Sequence, residues 1–226
     1  DLAQKLANIE SSDQQVEALE EEVQVKHNKM LGLARSLTNR RMSVSEKIEK
    51  ELVEKVSYLG MPNIRFKCDV VTEDTPNVYG MDSILFQFSA NKNVPLQPVA
   101  NIASGGEISR IMLCLKSMIA GATALPSIIF DEIDTGVSGE IADKMGQVMS
   151  EFGQNMQVIA ITHLPQIAAK GKAHYKVYKS DDISESTTTK LVLLSDKDRL
   201  DEIARMLSGS VVTEAAMQNA KVMLGV

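Results

Sequence analysis

Residues 128–139 read Ile128-Ile129-Phe130-Asp131-Glu132-Ile133-Asp134-Thr135-Gly136-Val137-Ser138-Gly139. The apolar run Ser127–Phe130, bounded by Pro126 and Asp131, fits a short buried strand. Such a strand delivers Asp131 and Glu132 at its carboxyl end, the edge at which ligands bind in parallel α/β sheets. Asp131 can hold a hydrated Mg²⁺, an ion that prefers hard oxygen ligands. Glu132 can polarise a water that attacks a γ-phosphate. The competing structural reading is that the acids cap the next helix. The following loop, Asp134, Gly136, Ser138 and Gly139 among it, suits a tight interface. It can equally be a plain turn with Ser138 as a helix N-cap.

Upstream, Ile102-Ala103-Ser104-Gly105-Gly106-Glu107 opens a helix expected from about Ser104 to Ala120. Ser104 and Glu107 match a capping box. The paired glycines add a reason to go further. They leave the first helical N–H groups bare, so an anion can approach the positive end of the helix. Downstream, a helix is expected from about Ser138 to Phe152, then an apolar strand Gln157–Thr162, then His163. A histidine at a strand end beside the acidic strand can reach a γ-phosphate or the attacking water; a structural role is the alternative. Strand, helix, strand with apolar strands predicts a right-handed parallel crossover.

Further strands are expected at Ile64–Val71, Ser83–Ala90, Tyr175–Tyr178 and Lys190–Leu194, with helices over Asp196–Leu207 and Thr213–Leu224. Glu73–Met81 and Ser180–Thr189 read as connecting loops, and Asn91–Gln97 as a polar connection. The first sixty residues differ. Leu2, Ile9, Val16, Val23, Met30, Leu37 and Val44 recur every seven residues, one strong row of a heptad seam whose second row is mixed. Gly60 and Pro62 close the segment. A helix of this length reaches roughly 90 Å and cannot bury its stripe alone. The arm therefore pairs with a second copy, or with a strand lying outside this sequence, or breaks into a short bundle. Residues 23–45 carry Lys26, Lys29, Arg35, Arg40 and Arg41 and no acid. That is either a phosphate-contacting surface or a solvated helix face.

Composition narrows the classes. With 226 residues and 44% hydrophobic content the chain can build a sizeable core. Net charge −6 and a pI near 5.2 exclude a uniformly basic nucleic-acid binder. Aromatic residues at 4%, with no Trp, argue against base-stacking platforms. No apolar run reaches membrane-spanning length. Two Cys and three His give neither a disulfide framework nor a Cys/His metal site, which points to a reducing, cytoplasmic setting. No G-x-x-x-x-G-K-[ST] motif occurs, since Gln166 stands where Gly171-Lys172 would need a glycine. Glu140 likewise breaks the nearest G-x-S-x-G.

In this order and at these spacings the four elements resemble the signature loop, Walker B strand, D-loop and switch histidine of ATP-binding-cassette ATPase heads of the SMC type. The stretches Leu59–Asn63, Ile102–Met112, Ile128–Gly139, Thr162–Ala169 and Ala204–Ser210 are most similar to the RecN family, bacterial SMC-like proteins of DNA double-strand-break repair. Ala103 departs from the Leu common in transporters and fits the RecN-like branch.

The resemblance implies an α/β fold: the C-terminal lobe of a P-loop ATPase head, with a parallel sheet flanked by helices, carrying a long N-terminal coiled-coil helix. Residues 1–60 would be the arm and 61–226 the head lobe. It implies ATP and Mg²⁺ as cofactors, with Ser104, Gly105, Gly106 and Glu107 reaching the nucleotide of an opposing head. Asp131 (through water to Mg²⁺), Glu132 and His163 would act on the nucleotide of their own head.

It also implies an N-terminal lobe of the same protein as partner, bearing the Walker A motif. A second head and DNA are further implied partners, with a bacterial, nucleoid-associated location and no membrane. The chain, which starts at Asp1, is then expected to be part of a longer protein and not to hydrolyse ATP alone. An SMC- or cohesin-like tether, a transporter nucleotide-binding subunit and a non-catalytic coiled-coil domain remain competing readings.

Overall fold

The computed structural model describes residues 2–101, 105–123, 125–181 and 187–226. The chain forms two compact units, one of Asp1–Glu51, Arg65–Ser89 and Asn93–Val99, the other of Leu52–Ile64, Ala90–Lys92 and Ala100–Val226.

The heptad segment is one helix, α1, Leu2–Tyr58. No proline interrupts it, and Gly32 is its one interior glycine. In the first unit, α1 accompanies an antiparallel sheet of β1 (Arg65–Asn77), β2 (Gly80–Ser89) and the short β3 (Gln97–Pro98), in the order β1-β2-β3. The strand register pairs Phe66 with Phe88, Cys68 with Phe86 and Val70 with Ile84. The predicted alternation therefore lies on one face. Burial fades along it, from Phe88 at 1% exposed to Ile84 at 46%. The loop read at Glu73–Met81 is instead mostly strand. The hairpin closes at Asn77↔Gly80 after a register shift between Thr72 and Asn77, an irregularity that an exposed strand end accommodates.

The hairpin is tied to α1 by polar bonds. Thr38 Oγ1 donates to Asp82 Oδ1 at 2.7 Å and Arg41 pairs with Asp82 Oδ2 at 2.9 Å. Arg41 also donates to the Tyr79 carbonyl at 2.8 Å. Lys26 pairs with Glu22 at 2.6 Å. Two of the five cations in the basic stretch are thus engaged within this unit, which favours the structural reading of that stretch.

In the second unit, Leu52, Val56 and Leu59 are fully buried. Gly60 turns the chain at φ 84°, and a Cβ there would run into Ile141. Helix α2 (Gly105–Ala122) leads to β4 (Ser127–Asp131), α3 (Gly139–Phe152), β5 (Gln157–Ile161) and the four-residue helix α4 (Pro165–Ala168). Strands β4 and β5 pair in parallel, joined through α3 as the apolar pattern predicts. Phe130, Ala142, Met145 and Met149 form core beneath them.

The opposite face is open. Ile129, Ile159 and Ile161 are 62%, 44% and 53% exposed. The register Ile129↔Ile159 and Asp131↔Ile161 puts them on one face with Asp131. Strands β6 (Tyr175–Asp181) and β7 (Thr187–Leu193) form an antiparallel hairpin, so pairing extends well into the stretch read as a loop at Ser180–Thr189. Helices α5 (Asp196–Ser208) and α6 (Glu214–Leu224) follow. They are capped by Ser195 and Thr213, and pack through Ile203, Ala204 and Ala220.

Candidate nucleotide-hydrolysis site

Strand β4 ends at Asp131, and β5 ends two residues before His163, so the parallel register brings acid and histidine to the same sheet edge. Pairing continues one step beyond β4, the Glu132 N–H donating to the Ile161 carbonyl at 3.3 Å. Glu132 then turns away with φ 49°, the sole non-glycine residue at positive φ among the described residues. A left-handed backbone costs a side-chain-bearing residue about 1–2 kcal/mol. The turn is clamped by Thr135, whose N–H and hydroxyl both donate to the Glu132 carbonyl, at 3.2 and 2.9 Å. Asp131 and Glu132 are both exposed.

Asp134 is the opposite case, 1% exposed. Its Oδ2 accepts from the Thr162 hydroxyl at 2.5 Å and from the His163 N–H at 3.3 Å, and lies 3.5 Å from His163 Nδ1. The Leu164 N–H in turn donates to Thr162 Oγ1 at 3.0 Å. Oδ1 is buried and accepts no hydrogen bond from a described residue. Within the loop expected to suit a tight interface, Asp134 is thus the member that faces the protein interior. Its carboxylate points inward and binds the end of β5, because a carboxylate leaves water only where donors replace its hydration. The His163 side chain is 70% exposed.

Ser104 lies outside the described residues. Gly105 and Gly106 open α2, with Glu107 half-buried in its first turn, where a carboxylate suits the helix dipole. Gly106 touches the loop after the acids: a Cβ on it would sit 2.8 Å from the Gly136 carbonyl oxygen. Gly136 itself is left-handed at φ 75°. Gly139, φ 57°, starts α3. Ser138 occupies the N-cap position, but its side chain makes no cap hydrogen bond, so the capping reading holds in position only.

An open depression of about 320 Å³ is lined by Ile108, Ser109 and Met112 of α2 together with Asp131 and Glu132. The glycine-opened helix and the two carboxylates thus share one surface. Two contributors escaped the sequence reading. Arg110 braces α2, donating from Nε to the Gly106 carbonyl at 2.8 Å and from a terminal nitrogen to the Leu59 carbonyl at 3.2 Å. Thr162 bridges Asp134 to the His163 segment. Both stand beside motif residues, but no spacing rule marks a side chain whose partner is a distant carbonyl or a buried acid.

No protein-family model matches the chain. Among solved structures, the fold is similar to an SMC ATPase studied for ATP-driven dimerization and DNA-stimulated activation. That match has a TM-score of 0.53 at 18% identity, covering 77% of this chain and 99% of that one. It is also similar to an Smc head domain with coiled coil and joint from Pyrococcus yayanosii, with a TM-score of 0.56 at 19% identity over 72% of this chain and 29% of that one. The fold is accordingly that of SMC-type head domains, with α/β structure, a parallel strand pair and a long helix.

Sequence comparison narrows it. The chain is 34% identical to the DNA repair protein RecN of Vibrio cholerae over 225 residues, 99% of this chain and 40% of that protein. It is 36% identical to RecN of Deinococcus radiodurans over 222 residues, 98% and 39%. To RecN of Rickettsia typhi it is 40% identical over 192 residues, 85% and 34%. Over most of its length the chain is homologous to RecN proteins, and it spans about two fifths or less of the length of these relatives.

Proposed function

We propose that the chain supplies the hydrolytic half of an ATPase head in a RecN-type protein acting in recombinational repair of DNA double-strand breaks. Residues 1–60 serve as one strand of a coiled-coil arm and 61–226 as the head lobe. The observation that carries this reading is the convergence of Asp131, Glu132 and the Asp134–His163 contact at one sheet edge, beside the glycine-opened end of α2. The relatives named as DNA repair proteins and the SMC-like fold support it.

In this reading Glu132 accepts a proton from the attacking water, and His163 hydrogen-bonds the water or the terminal phosphate. Asp131 would hold Mg²⁺ through one of the ion's bound waters. Among the described residues no three His, Cys, Asp or Glu side chains are grouped closely enough to hold a metal ion by themselves. That donor set fits Mg²⁺, which keeps most of its water and takes one or two carboxylates plus phosphate oxygens. When bound, the ion neutralises charge on the phosphates. Ser104, Gly105 and Gly106 face the nucleotide of an opposing head, with Glu107 behind them, and Gly136, Ser138 and Gly139 line the contact between heads.

The lysine cradle that this sequence lacks comes from an N-terminal lobe. That lobe covers the open face of Ile129, Ile159 and Ile161, and without it the chain does not turn over ATP. A bacterial cytoplasmic, nucleoid-associated location and DNA contact through the whole protein follow from the same reading. No helix among the described residues is long and apolar enough to cross a membrane.

The test is Glu132→Gln in a RecN-type protein carrying this segment. ATP binding and ATP-dependent head pairing should persist while turnover falls roughly 10²–10⁴-fold, the range for a lost general base. Unchanged turnover would refute the assignment.

A further inference from the structure

We propose that Asp134 is the positioning residue for His163: it holds the ring by Nδ1, keeps the proton of the neutral ring on that nitrogen, and so makes Nε2 the working atom. The proposal rests on the reading of His163 as the site histidine, and adds to it which nitrogen works and what fixes it. With the neutral ring's proton on Nδ1, Nε2 accepts a hydrogen bond and cannot donate one to a phosphate oxygen, so of the two contacts named above it selects the water.

The geometry is built for this. Asp134 Oδ2 gathers the Thr162 hydroxyl, the His163 N–H and His163 Nδ1, at 2.5, 3.3 and 3.5 Å. The first two contacts lock the backbone at the histidine. The third turns toward the ring an oxygen that already accepts from two donors, so the nitrogen facing it takes the donor role. The Leu164 N–H, donating to Thr162 Oγ1 at 3.0 Å, fixes the hydroxyl so that its own proton points at the carboxylate. Asp134 is 1% exposed whereas the His163 side chain is 70% exposed. One side of the ring therefore faces the buried carboxyl and the other is presented to solvent.

A buried acid that orients an imidazole through Nδ1 sets both its direction and its tautomer. The 3.5 Å separation is long for a hydrogen bond, as such contacts often are before substrate arrives. Leaving a carboxylate oxygen buried without a described partner is costly, and a plain turn between β4 and α3 does not require it. The same loop places Gly136 against Gly106. One short segment thus braces both the glycine-opened helix and the histidine.

The test needs no nucleotide. Long-range ¹H–¹⁵N correlation spectra of the imidazole nitrogens are recorded on the labelled 226-residue chain, with the His163 signals identified by their loss in His163→Gln. With the ring neutral, His163 should show the Nδ1–H pattern. In Asp134→Ala it should revert to the Nε2–H form that free histidine favours in water, while the patterns of His27 and His174 stay unchanged. An Nε2–H pattern for His163 in the unaltered chain overturns the proposal, and that result does not depend on any variant folding. An Nδ1–H pattern retained in folded Asp134→Ala overturns it equally. Failure of the hydrolytic reading would show elsewhere, as turnover indifferent to Glu132→Gln.

Discussion

At the scale of single residues, the site is a set of unequal carboxylates. Asp131 and Glu132 stay in water, where a charged group keeps its hydration. Asp134 has exchanged hydration for protein donors and serves structure. Gly106 has no such latitude. A methyl group there would meet the Gly136 carbonyl oxygen at 2.8 Å, and backbone cannot swing aside as a flexible side chain does. Gly106→Ala should lower stability by about 1–3 kcal/mol, the usual range for overpacking. Urea denaturation should show this as a lower midpoint with an unchanged slope. Of the two thiols, Cys114 is pushed up to about 12 by burial, and Cys68 is raised by the same cause. Both read as packing groups rather than nucleophiles.

At the scale of elements, α1 shows what a heptad seam means without a covering helix. Val16, Val23 and Met30 are 51%, 66% and 41% exposed, whereas Leu52 and Val56, on the same helix, are fully buried. The hairpin β1–β2 holds to α1 partly by charge. The Asp82 carboxyl is held below the ordinary carboxylate range, chiefly by the Thr38 hydroxyl and then by Arg41. A lowered acid contributes stability that is fully present above its unfolded value, about pH 4, and is lost as pH falls through the lower folded value. The stability difference between the unaltered chain and Asp82→Asn should therefore be constant from neutral pH to about pH 5 and shrink below about pH 4. Denaturant titrations at a series of pH values would read it. A difference that does not change with pH would deny the carboxylate this role.

At the scale of the whole molecule, the open face of the β4–β5 pair is the feature an isolated chain handles worst. Ile129, Ile159 and Ile161 together make a patch of the kind that marks an interface. The chain should bind a hydrophobic dye such as ANS while fully folded. Ile129→Ser together with Ile161→Ser should remove most of that signal with little change in Tm. An added N-terminal ATPase lobe should quench it in the unaltered chain. Absence of dye binding by the native chain would mean that the face is covered by something other than that lobe.

Much of this was legible in residue order. The seven-residue repeat dictates one long helix, because only a 3.5-residue period keeps such a row on one side. The apolar runs before Asp131 and His163, separated by a helix-length segment, dictate a parallel crossover and bring acid and histidine to one edge. Local signals of this kind need no knowledge of distant neighbours. What the order of residues left open depends on which groups lose water. It shows three acids within four positions, Asp131, Glu132 and Asp134, with nothing to say which one turns inward. The apolar strands read as covered on both faces, yet one face lies bare in this chain. The hairpins, too, run further than their polar tips suggest, since strand pairing is a main-chain matter. Tertiary structure decided these points, because burial and the pairing of a carboxylate with Thr162 and His163 exist only once segments far apart in the chain are packed together.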